Sequence, residues 1–148
     1  MLPPNRLKNL FAHAKRVSAL SKYRFQLGAV IFKGNRLIST GYNKNKTHPT
    51  AKKYYQHGSV HAEFDAVLHA NESIDGASML VCRVKKDGSP AMSKPCVMCT
   101  QIIFESGIKE VFWTTSELPF WDHACVKDLY KLIDKEKAFK ENVFLNAK

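Results

Sequence analysis

Two short motifs constrain this chain more than any other feature: His61-Ala62-Glu63 and Pro95-Cys96-Val97-Met98-Cys99. Each opens a stretch with helical spacing of apolar residues. Val60, Phe64, Val67 and Leu68 line one side of the first, and Ile102, Ile103 and Phe104 continue the second. Cys96 and Cys99 stand one helical turn apart, so both sulfurs can face one point near a helix start. That end carries partial positive charge and favours ionised thiols. A fold that brings the two helix starts together therefore assembles His61, Cys96 and Cys99 into a three-ligand set. Zn2+ held by three protein ligands keeps its fourth position for water. Glu63 suits a carboxylate beside that water, where it can take and pass on a proton. A structural zinc needs a fourth ligand. Cys82, in an apolar strand, and Cys125, in an expected helix, read as packed thiols instead.

The rest of the pattern supplies the frame. The chain has 148 residues, 45% hydrophobic and 24% charged, which fits a single domain over 1–148. Pro3-Pro4-Asn5 starts a helix along which Leu7, Leu10, Phe11, Ala14 and Val17 recur. Leu27–Phe32 and Leu37–Thr40 form a hairpin about the turn Lys33-Gly34-Asn35-Arg36. Residues 43–58 are a long polar loop, a kind that usually carries function. Further along come a strand over Ser78–Val84, a loop over Lys85–Lys94, the Pro95 helix ended by Gly107, and a strand over Glu110–Thr115. A helix over Asp122–Phe139 and a short strand over Asn142–Leu145 close the chain. Strands alternating with helices after an opening hairpin predict an α/β layered sheet.

The two motifs in this order are the general signature of zinc deaminases. The chain resembles the cytidine/deoxycytidylate deaminase superfamily over most of its length. The likeness is carried by Gly28-Ala29-Val30-Ile31, Gly41-Tyr42-Asn43, the two zinc motifs, and Ser106-Gly107-Ile108-Lys109-Glu110-Val111. It implies a three-layer α-β-α fold, a five-stranded mixed sheet with helices on both faces. The helix expected over Asp122–Phe139 makes the last two strands parallel, as in the deoxycytidylate, tRNA-adenosine and polynucleotide-cytidine branches. The resemblance further implies zinc on His61, Cys96 and Cys99, with Glu63 as proton shuttle. Backbone groups at Ala62 and Cys96 would hold the base or the attacking oxygen, with Pro95 among the substrate contacts, and Asn43 would touch substrate near the sugar. Members of the family self-associate through helices near the zinc, which implies a homo-oligomer.

Which substrate enters is a question for the charge. Residues 1–62 hold twelve Lys/Arg and no Asp or Glu, against eleven Lys/Arg and thirteen acids in the remainder. So basic a stretch favours phosphate or nucleic acid. Lys44, Lys46, Lys52 and Lys53, with Arg24, fit a grip on one 5′-phosphate. They equally fit a single strand, with Tyr54, Tyr55 or Trp121 as stacking platforms. Trp121 also fits a pocket wall. Gly41-Tyr42-Asn43 and Ser106-Gly107-Ile108-Lys109 look closest to the deoxycytidylate branch. The expected activity is therefore deamination of a cytosine base to uracil on a free pyrimidine nucleotide such as dCMP. A tRNA or single-stranded nucleic-acid base deaminase is the alternative, and a non-catalytic, zinc-stapled subunit a third reading. No apolar run is long enough for a membrane span, and the first residues lack a secretory signal's apolar stretch. Four cysteines, two of them in Cys-x-x-Cys, suit a reducing, cytoplasmic setting.

Overall fold

The computed structural model describes residues 2–44 and 60–133. Helix α1 spans Pro4–Ser18, with a proline in its first turn, where the missing amide costs nothing. It is followed by β1 (Gln26–Lys33) and β2 (Arg36–Tyr42), an antiparallel hairpin turned at Gly34, whose φ is 54°. Next come α2 (Ala62–Leu68), β3 (Ser78–Val84), the two-residue β4 (Pro90–Ala91) and α3 (Val97–Glu105). Strands β5 (Glu110–Thr114) and β6 (Trp121–Cys125) then lead into a helical segment over 126–133.

The strands form one sheet in the order β2-β1-β3-β5-β6, with β4 paired to β3 off this path. Strands β3 and β5 run parallel, joined by the crossover through α3, and the other pairs are antiparallel. Successive strand residues point to opposite faces. Ala29, Ile31, Met79, Val81, Val111 and Trp113 face the α2 side, where Ala62, Ala66, Ile103, Val126 and Leu129 meet them. Val30, Phe32, Leu80, Cys82 and Phe112 face the other side, against Leu7, Leu10 and Ala14 of α1. Helices on both faces explain why the middle strands read as continuous apolar runs rather than alternating ones. The mixed α/β class and the layered arrangement expected from the sequence are thus present. Among the described residues no helix is long and apolar enough to cross a membrane.

The end of the chain differs from expectation. The last two described strands, β5 and β6, are antiparallel, from Glu110↔Cys125 to Thr114↔Trp121. The expected helix over Asp122–Phe139 begins only after Cys125. The reason is the connection: residues 115–120 are too few for the crossover a parallel pair requires, so the chain turns straight back. In the extended form Trp121 and His123 stand on one face and pack on Phe112, with ring centroids 6.2 and 5.4 Å away. Cys125, expected to be packed in a helix, is exposed at the end of β6. The expected strand over Asn142–Leu145, and with it the parallel pair expected between it and Glu110–Thr115, lies outside the described residues.

Candidate active site

The site begins with two glycines. A Cβ on Gly28 would stand 2.2 Å from the Ala14 carbonyl oxygen, and one on Gly41 would stand 2.5 Å from that of Ala62. Only glycine permits such approaches, so α1 and α2 lie directly on the hairpin. Asp65 fastens α2 further: its buried carboxylate accepts hydrogen bonds from the Tyr42 amide at 3.1 Å and from Lys44 Nζ at 3.0 Å. With α2 fixed, its N-cap residue His61 turns toward Cys96, the N-cap residue of α3. The Cys96 sulfur accepts a hydrogen bond from the Cys99 amide at 3.4 Å, which orients the first turn of α3.

The three side chains converge. His61 Nδ1 lies 3.7 Å from Cys96 Sγ and 3.4 Å from Cys99 Sγ, and all three ligand atoms lie within 4.8 Å of one another. Zinc–sulfur and zinc–nitrogen bonds of about 2.3 and 2.0 Å at tetrahedral angles require nitrogen–sulfur edges of roughly 3.5 Å. The donor set therefore fits a zinc ion in both chemistry and spacing. The Cys96 thiol is lowered to about 4, chiefly by the hydrogen bond to the Cys99 side chain, with help from His61 and against the effect of burial. A thiolate is the form a metal needs. For His61 burial disfavours the charged ring, but the bond to Cys96 and the nearby Glu63 outweigh it and raise the pKa.

Glu63 is 4% exposed, and burial raises its carboxyl above the usual carboxylate range, partly offset by its own backbone and the Cys99 thiol. It lines, with His61, Ala62 and Cys96, a cavity of about 550 Å³. A buried, shifted carboxyl beside a three-ligand cluster in a cavity has the makings of a proton-transfer site.

The substrate contacts expected from the sequence are distributed differently. Asn43 lines the cavity, but its amide oxygen accepts from the Leu27 amide at 3.0 Å and its nitrogen donates to the Phe25 carbonyl at 2.6 Å. It thereby fixes the cavity wall. Ala62 lines the cavity, and Pro95 is buried between Lys94 and Cys96, which do so too. Lys44 is paired with Asp65 and belongs to a separate hollow with Leu20 and Tyr42. Arg24 stands over the Phe25 ring, 5.5 Å from its centroid, outside the cavity lining. Trp121 lines a different cavity, shared with residues of α1 such as Leu7 and Phe11. Lys46, Lys52, Lys53, Tyr54 and Tyr55 lie outside the described residues. Two cations the sequence did not single out, Arg83 and Lys94, line the cavity instead.

Residues 4–115 match the cytidine and deoxycytidylate deaminase zinc-binding region. The chain belongs to the cytidine and deoxycytidylate deaminase family. An uncharacterized deaminase from the luxG 3′ region of Aliivibrio fischeri is 31% identical over 114 residues, covering 71% of this chain and 69% of that protein. The deoxycytidylate deaminase of Schizosaccharomyces pombe is 29% identical over 120 residues, or 70% of this chain, which spans only 34% of that enzyme. The fold is shared with the dCMP deaminase of cyanophage S-TIM5, solved in complex with dCMP and dUMP. The two are 19% identical, with a TM-score of 0.63 over 90% of this chain and 95% of that one. Membership in the deaminase family agrees with the motifs that carried the resemblance.

Proposed function

We propose that this chain hydrolyses the amino group of a cytosine base, giving uracil and ammonia, on a free (deoxy)cytidine nucleotide such as dCMP. The observation that carries the proposal is the buried Glu63 carboxyl in one cavity with His61 and Cys96, which converge with Cys99 in a three-ligand cluster. Family membership and the likeness to a deoxycytidylate deaminase support the choice of base and of nucleotide.

His61, Cys96 and Cys99 would hold the zinc and leave one position open. When bound there, the ion supplies Lewis-acid activation of a water molecule at neutral pH. Glu63 accepts a proton from the attacking water and delivers it to ring nitrogen N3 while the water oxygen bonds to C4. It then carries the second water proton to the exocyclic nitrogen. The C4–N bond breaks, ammonia leaves and the uracil carbonyl remains, so one water is consumed for each ammonia released. Phe25, Leu27 and Val60 give the cavity apolar walls beside these polar groups.

Ammonia release from dCMP, CMP, deoxycytidine, cytidine and single-stranded oligonucleotides tests the reading. Turnover of the free nucleotides is expected. Turnover confined to oligonucleotides would replace it with the polynucleotide alternative.

A further inference from the structure

We infer that Arg83 and Lys94 hold the 5′-phosphate of a nucleoside monophosphate and so set a preference for nucleotide over nucleoside. This rests on the deaminase reading above and assigns its phosphate contacts. Arg83 and Lys94 line the same cavity as His61, Glu63 and Cys96. Neither has an ion pair among the described residues, where Arg36 and Lys44 are paired with Glu72 and Asp65. Residues 45–59, which follow the cavity residue Asn43, contain no Asp or Glu to supply one.

The Arg83 guanidinium is half-buried and lies over the Phe25 ring, 4.4 Å from its centroid. Stacking occupies the flat face and leaves the N–H edge free for an oxyanion. Its fork matches a phosphate in bidentate fashion, and Lys94 adds a point charge. The frame behind them is rigid. Arg83 pairs with Ala91 across the β3–β4 hairpin, and its amide donates to Thr114 Oγ1 at 3.1 Å. Ser93 is tied to the Val81 carbonyl at 2.9 Å and to Thr114, so Lys94, the next residue, is brought back to the same cavity. The stretch 85–94 is thus a device that returns the chain to Arg83 just before the Cys96 motif. An unpaired, partly desolvated cation in a catalytic cavity is costly unless an anion completes it.

The test compares kcat/KM for dCMP and for deoxycytidine in the zinc-loaded protein and in Arg83→Ala, Arg83→Lys and Lys94→Ala. The dCMP-to-deoxycytidine ratio should fall about tenfold or more in Arg83→Ala, mainly through KM, less in Arg83→Lys, and several-fold in Lys94→Ala. Thermal unfolding and zinc content check that each variant is folded, and exposed Lys94 carries the same ratio test should Arg83→Ala not fold. A ratio unchanged in the folded variants, or a wild type that favours deoxycytidine over dCMP, overturns the inference and leaves the deaminase reading standing. Oligonucleotide turnover that exceeds dCMP turnover and falls in Arg83→Ala assigns the phosphate to a polymer and also overturns it. A wild type that deaminates no cytosine compound overturns both.

Discussion

Gly41 of β2 lies against Ala66 of α2 so closely that a Cβ on the glycine would stand 2.3 Å from the Ala66 amide nitrogen. Helix α2 carries Glu63 and is capped by His61, so this one contact sets how deep His61 and Glu63 sit. A methyl group at Gly41 must push α2 outward, because the atom it meets is backbone and cannot swing away. We predict that Gly41→Ala costs on the order of 2 kcal/mol or more. Zinc retention on dialysis should fall as well, since His61 moves with the helix. Urea unfolding and metal analysis check this, and an unchanged midpoint with full zinc content would contradict it.

Asp65 ties the same helix to the end of β2. Its carboxylate is 3% exposed and accepts from the Tyr42 amide and Lys44 Nζ. Truncation leaves both donors without a partner in a largely buried place. The expected cost of Asp65→Ala is on the order of 3 kcal/mol. A double-mutant cycle with Lys44→Ala should show a loss smaller than the sum, because the second change removes one orphaned donor. Additive losses would mean that Lys44 serves something other than Asp65.

The Cys82 thiol is pushed up to about 11 by burial, against a smaller opposing influence of Lys15. The folded chain thus keeps a proton that the unfolded chain gives up from about pH 8.5. The group's contribution is complete below that pH and is lost as pH rises toward 11. Stability should therefore fall between pH 8 and pH 10.5, and the fall should be smaller in Cys82→Ala. Urea titrations at both pH values measure it. Equal falls in the two proteins would show that Cys82 does not titrate across that range.

Much of this was legible in the sequence, for identifiable reasons. The apolar spacing of α1 and the turn at Gly34 are local signals, and each produced the expected element. One-turn spacing makes Cys96 and Cys99 candidate ligands, as its place before an apolar helix does His61, and the fold brings the three together. The helical spacing of Val126 and Leu129 extends backward through Asp122, so Trp121–Cys125 carries no local sign of a strand. Only pairing with β5, and the aromatic packing on Phe112, makes it a strand. Arg83 and Lys94 carry no local signal at all: one is a lone cation at the end of an apolar strand, the other precedes a proline. That both line one cavity depends on the β3–β4 hairpin. The acid-free stretch points to Arg24 and Lys44 as phosphate contacts, but the folded chain uses both elsewhere.

If a three-ligand zinc site and the buried Glu63 together deaminate cytosine, Glu63→Gln removes turnover and spares the metal. Zinc content and ammonia release from dCMP should be measured on the same preparation. One zinc per chain is expected in both proteins, with turnover by the variant lower by about 10²–10⁴-fold. A zinc-loaded Glu63→Gln protein that deaminates dCMP as fast as the wild type would contradict it.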